Sequence, residues 1–259
     1  MLQALTIAGT LAGCVGIRNE SMPPPPVLKH SWAAIDALPN FWEGTWFTFE
    51  FRYDFTDPPQ LTAQARVAAD AYLRKQIQNL NLDTEVANCV TPGMPHVMDD
   101  GSMPIKFLPT PEGIIIYLEG YSQARFIHMD GRSHSPTVNR TFLGDSIGHW
   151  EAGTLVVDTE GVIDRTTLAV AAGVNPRAPA MLHHGSAMHI VERFRLLDPD
   201  TLEGKRWVYD ESLFTAPVET TRHWRRDESQ AGEVKEYVCS DNRDRFDPAT
   251  GKLHSGEID

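Results

Sequence analysis

The sequence predicts a mainly β protein, an antiparallel barrel carrying one or two helices near its N-terminus. Three observations predict it. From residue 105 onward, short runs rich in Ile, Val, Leu, Phe and Thr recur at close spacing. Tight turns such as Glu151-Ala152-Gly153, Asp198-Pro199-Asp200 and Asp130-Gly131-Arg132 separate several of them. No helical segment alternates with these runs, which argues against a parallel βαβ sheet.

In chain order, Leu2–Gly13 is an uncharged apolar stretch, too short to span a bilayer but suited to a signal-peptide core. It ends Leu11-Ala12-Gly13-Cys14, which matches a lipobox, with Cys14 as the lipidated residue. Residues 1–21 are therefore read as a signal peptide or lipoprotein leader. Residues 22–30, with Pro23-Pro24-Pro25-Pro26, form a stiff Pro-rich spacer. Residues 31–259 are read as a single β-barrel domain.

Within that domain, the Trp32–Trp46 segment offers a short helix and an aromatic cluster. Leu61–Leu80 is the clearest helix, rich in Ala, Gln, Arg and Leu, free of Gly and Pro, with Thr62 as N-cap. Cys89 opens a turn-rich linker, Thr91-Pro92-Gly93-Met94-Pro95. Strands are then expected at Ile105–Leu108, Gly113–Glu119, Gln123–Met129, Gly144–Trp150, Thr154–Asp158, Met188–Leu197, Leu202–Tyr209, Val218–Arg225 and Val234–Cys239. About nine strands favour closure, because a barrel has no exposed edges. The expected architecture is a calycin- or lipocalin-like meander with the helix outside it or across one mouth, and a two-sheet sandwich as the alternative. Cys89 and Cys239 are candidates for one disulfide in an oxidising compartment.

Composition bounds the function. The chain has 259 residues, with 41% hydrophobic and 22% charged residues, which is ordinary globular usage. Lys+Arg 23 against Asp+Glu 35 gives a net charge of −12, which disfavours nucleic acid and anionic membrane surfaces as partners. Membrane association is expected only through the lipid anchor at Cys14. No Walker A, G-x-G-x-x-G, C-x-x-C or EF-hand pattern occurs, so no nucleotide or iron–sulfur cofactor is expected.

The densest polar segment is His183 to Arg195. Period-two alternation places His189, Val191, Arg193 and Arg195 on one face, and Met188, Ile190, Glu192 and Phe194 on the other. His184 and His189 are candidate catalytic residues, since imidazoles move protons near neutral pH. Divalent-metal ligation by the same pair is an alternative, although the spacing differs from the helical H-E-x-x-H motif. Glu192, on an apolar face, needs either an arginine partner or a raised pKa. Arg125 is a candidate for binding a carboxylate or enolate inside the barrel. Asp158 and Tyr237 complete the catalytic candidates, and Glu192 and Trp150 join Arg125 as substrate-binding candidates. Gly144-Asp145-Ser146-Ile147-Gly148 fits the G-x-S-x-G nucleophile elbow, but a strand rather than a helix follows it.

Several of these segments together resemble a family of uncharacterised exported bacterial proteins. They are Cys89-Val90-Thr91-Pro92-Gly93-Met94-Pro95, the Gly144–Glu151 hairpin with Leu155-Val156-Val157-Asp158-Thr159, the His184–Arg193 strand and Glu236-Tyr237-Val238-Cys239. The resemblance runs from about Leu61 to Asn242. It implies a shared fold and an exported setting, and carries no catalytic role; with the lipobox, the expected location is the periplasm or outer membrane. The chain departs from that pattern in placing His183 beside His184, and in Asp210-Glu211-Ser212 where an Asp-Pro pair is usual.

The function expected from the residues is a small-molecule enzyme acting on a hydrophobic or aromatic metabolite by cofactor-independent acid–base chemistry, as an isomerase, cyclase or lyase, in a pocket inside the barrel. Two alternatives stand beside it: a non-catalytic ligand-binding lipoprotein, and a metal-dependent hydrolase built on His184 and His189.

Overall fold

The computed structural model describes residues 35, 37–48, 58–78, 89–99, 103–135, 137, 139–175, 178–227, 233–238, 244–247, 249–250 and 252–255; for 171–175, 178, 244–247 and 252–255 it describes the backbone alone. The leader at 1–21, the spacer at 22–30 and Cys239 lie outside the described residues. Cys89 is disulfide-bonded.

The elements in chain order are β1 (Thr45–Thr48), α1 (Ala63–Ile77), β2 (Ile105–Thr110), β3 (Gly113–Leu118), β4 (Gln123–His128), β5 (Asp145–Glu151), β6 (Thr154–Glu160), β7 (Thr167–Asn175), β8 (Ala178–His183), β9 (His189–Asp198), β10 (Thr201–Tyr209), β11 (Val218–Asp227), β12 (Asp244–Asp247) and β13 (Lys252–Ser255). Nine of them close a barrel in the order β1-β11-β10-β9-β6-β5-β4-β3-β2. Closure bears out the expected mainly β, calycin-like architecture and removes the two-sheet sandwich.

Three features depart from a simple antiparallel meander. β4 and β5 pair in parallel, through Ile127↔Ser146 and His128↔Ile147 only. The long connection 129–144 lets the chain re-enter in the same direction, where a tight hairpin would reverse it. The hairpin of β7 and β8 is a separate two-stranded sheet, so β6 pairs directly with β9. The strand expected at Val234–Cys239 does not form over its described part: residues 233–238 run as an irregular strap, with the Lys235 N–H donating to Glu119 (2.7 Å).

Helix α1 begins where its cap requires, the Thr62 hydroxyl accepting from the Ala65 N–H at 3.1 Å. It buries Ala65 and Ala69 and packs on β7 and β8, where the Gln76 side-chain amide donates to the Pro179 carbonyl (3.2 Å). The helix therefore covers the outer hairpin. Among the described residues no helix is long and apolar enough to cross a membrane.

Alternation sorts each barrel strand into an inner and an outer face. On β9, Ile190, Glu192 and Phe194 are buried inward, while His189, Val191 and Arg193 face outward. Inside, Phe194 meets Phe107 (5.7 Å between ring centroids) and Trp224 (6.1 Å). Gly204 leaves room for the indole, since a Cβ there would lie 2.6 Å from the Trp224 ring. With Ile116, Leu118, Ile127, Leu155 and Val157 these rings pack the lumen.

The rest of the interior is charged. Arg125 bonds Glu192, Thr159 (2.8 Å) and Ser146 (3.1 Å). Glu192 also faces Arg206 at 3.5 Å. Arg206 grips Asp99 with two bonds of 2.8 and 2.9 Å, and Arg222 lies 3.5 Å from the same carboxylate. The charges alternate along this chain, so each of the five buried groups has a neighbour of opposite sign.

Candidate functional site

The barrel register brings a cluster of ionisable groups to the outer wall. β5 and β6 pair Asp145 with Glu160, and β6 and β9 pair Thr159 with Ile190. Asp158 and Glu160 are two apart on β6 and share its outer face, and His189, at the start of β9, stands beside them. Loop residue His134 closes over the top. One of its ring nitrogens contacts Asp145 and the other Asp158, each at 2.9 Å. His189 Nε2 donates to the same Asp158 carboxylate, at 2.9 and 3.0 Å from its two oxygens. Two imidazoles thus converge on one carboxylate. Tyr209, the register partner of His189 on β10, stacks on its ring at 5.3 Å and 24°.

These contacts set the protonation. His134 presents both nitrogens to carboxylate oxygens, an arrangement in which only the imidazolium can donate twice. Burial pulls its pKa down, but the bonds to Asp145 and Asp158 outweigh burial and raise it above the ordinary value. His189 is raised chiefly by its bond to Asp158, against a smaller burial effect. Burial pushes Asp158 up, yet the two imidazoles hold it below the usual carboxylate range.

Two depressions flank the cluster. A cleft of about 340 Å³ is lined by Ser135, Arg140, Glu160, Ser186 and Met188, so Glu160 belongs to both cleft and cluster. On the other side, a groove of about 380 Å³ opens where β4 and β5 share so few bonds. Phe126, His128, Phe142, Leu143 and Asp145 line it.

The expected site residues separate into distinct places. His189 and Asp158 meet at 2.9 Å. His184 is not with them: it is buried, with Nε2 against Thr166 (2.7 Å) and the Ile163 carbonyl, and Nδ1 donating to the Gly185 carbonyl. It ties the loop after β6 to the loop before β9. Asp210 braces the second loop by accepting from the backbone N–H groups of Gly185 (2.6 Å), Ser212 and Leu213. Arg125 and Glu192 are each 1% exposed and bonded to one another inside the barrel, so the sheet itself stands between them and His189. Their ion pair answers what a carboxylate does among Ile190 and Phe194. Ser146 is a member of that interior network and no nucleophile elbow forms. Trp150 lies five residues along β5 from Asp145, on the order of 17 Å at about 3.3 Å per residue, packed with Phe41 (5.5 Å) and Trp42. Tyr237 packs at a tilt against Tyr121 (5.1 Å between ring centroids) beside the β3–β4 connection.

Three members of the cluster were not singled out from the sequence. Glu160 carried a usable signal, being two residues from Asp158 on the same strand face. Asp145 was hidden within the G-x-S-x-G pattern. His134 lies in a loop, where no periodicity tells which way a side chain points.

No protein-family model matches the chain, and no curated protein or solved structure does either.

Proposed function

We propose that the protein is a small-molecule enzyme that works by acid–base chemistry, with His189 as its proton-moving group and His134 as the residue that positions Asp158 beside it. The observation that carries this reading is the meeting of both imidazoles on Asp158 between two open depressions. A carboxylate behind an imidazole fixes its tautomer and stabilises the cation formed when it takes a proton. His189 spends only Nε2 on Asp158, which leaves Nδ1 for a substrate proton. The packed lumen favours an enzyme of the outer wall over a carrier that encloses its ligand.

Phe126, Phe142 and Leu143 in the larger groove suit a hydrophobic or aromatic substrate. Proton abstraction next to a carbonyl, as in an isomerase, cyclase or lyase, fits a site built from imidazoles and carboxylates. The leader-like N-terminus, the lipobox at Cys14 and the family resemblance support an exported lipoprotein of the periplasm or outer membrane.

The test is solvent-deuterium incorporation, followed by NMR, into a panel of aryl ketones and arylpyruvates. Wild-type protein is expected to accelerate exchange in at least one probe, and His189→Ala to lose about 100-fold or more of that rate. Equal exchange by a folded His189→Ala protein would remove His189 from the reaction.

A further inference from the structure

We propose that Asp158, Glu160 and His189 form a binding site for a divalent transition-metal cation on the outer wall of the barrel. The inference rests on taking this cluster as the functional site and deepens that reading by naming a cofactor class. One ligand atom from each of the three residues lies within 4.8 Å of the other two. A cation bound at about 2.0–2.2 Å from each atom draws the side chains inward, and binding at Nε2 of His189 releases its proton and replaces its bond to Asp158. The backbone beneath them is already fixed. Asp158 and Glu160 alternate on β6, and β9 is held to β6 by the Asp158↔Val191 and Thr159↔Ile190 pairs.

The surroundings complete what a metal site requires. His134 reaches from Asp145 to Asp158 and orients that carboxylate from behind, as outer hydrogen bonds do around bound metals. Tyr209 stacks on the His189 ring and holds its plane. Glu160 takes no part in the bonds that join the two imidazoles to Asp145 and Asp158, so its carboxylate breaks none of them on binding. Three carboxylates gather here, and a dication offsets their mutual repulsion. The cleft of about 340 Å³ beside Glu160 supplies an entry path and space for further ligands. Two carboxylates with one imidazole form a mixed oxygen–nitrogen set, which suits zinc, manganese or iron and disfavours magnesium and calcium, whose preference is for oxygen alone. Bound there, the cation would serve as Lewis acid toward a substrate oxygen.

The experiment titrates tag-free, chelator-treated protein with zinc chloride and, separately, magnesium chloride, by calorimetry and native mass spectrometry. One zinc per chain is expected, with magnesium binding far weaker. Asp158→Asn and Glu160→Gln should each weaken zinc about 10-fold or more, while Glu151→Gln, at the exposed pair with His149, leaves it unchanged. Zinc affinity equal in wild type and Glu160→Gln would overturn the site and mark the binding as adventitious. The deuterium-exchange assay separates the two proposals. Stoichiometric zinc binding without exchange in any probe keeps this site and removes the acid–base reading, whereas exchange by chelated protein that takes up no zinc does the reverse.

Discussion

Asp99 shows how single residues hold the charged interior together. Burial pushes its carboxyl pKa up, but Arg206 and Arg222 outweigh burial and hold it below the ordinary aspartate value. A folded-state pKa below the unfolded one contributes stability that is complete above about pH 3.9 and is lost as pH falls through the lower, folded value. Asp99→Asn removes the negative charge held between buried Arg206 and Arg222 and is expected to cost about 3–5 kcal/mol at pH 7 by urea denaturation. The same variant should lose part of the acid-side fall in stability; an unchanged acid slope would show that Asp99 titrates alike in both states. The Arg125–Glu192 pair allows a sharper comparison. Glu192→Met alone leaves Arg125 buried without a carboxylate, and Arg125→Met alone leaves Glu192 with only Arg206 at 3.5 Å, whereas the double replacement removes both charges of this pair. The double variant is therefore expected to be more stable than either single one, as read from a double-mutant cycle. Additive losses would mean that the two groups do not act as a unit.

At the scale of elements, local chemistry decided what was legible in the sequence. Helix α1 was readable because an Ala-rich run without Gly or Pro followed a Thr cap, and it ends at Ile77, three residues before its expected limit. The barrel strands were readable from alternation and from Gly- and Asp-containing turns. β7 and β8 were missed for a physical reason: the stretch from Thr167 to His183 is rich in Ala, a poor strand former, and contains Gly173, Pro176 and Pro179. Val234–Cys239 misled in the opposite direction, since its composition suits a strand but side-chain bonds to Glu119 and Ser122 replace a ladder. The turn Pro92-Gly93-Met94-Pro95 was recognised, and its geometry explains its glycine. Gly93 has φ +67°, and a Cβ there would lie 2.4 Å from the Thr166 side chain and 2.7 Å from the Phe142 carbonyl oxygen. Gly93→Ala is expected to lower stability by about 1–3 kcal/mol in urea or thermal unfolding, through overpacking and an unfavourable backbone angle together. An unchanged midpoint would show that Thr166 and the 142–144 segment yield freely.

For the molecule as a whole, closure of the barrel determines which candidate residues can cooperate. The alternation on β9 was correctly divided into two faces from the sequence, and its apolar residues Ile190 and Phe194 were bound to turn inward. His189 therefore had to face outward, away from Arg125, and a pocket shared by both inside the barrel was excluded by the same pattern that suggested it. What the sequence withheld was the position of His134, because a long loop has no register until the fold supplies one. The account stands on Asp158 joining two imidazoles on the outer wall. Its most direct test is the imidazole ¹H–¹⁵N NMR spectrum of chelator-treated protein at neutral pH, compared between wild type and Asp158→Asn. The ring signals of both His134 and His189 should move, while those of His223, whose ring lies 3.6 Å from Glu203, stay in place. If His134 or His189 keeps its wild-type signals, the two do not share that carboxylate and the site is not the one described.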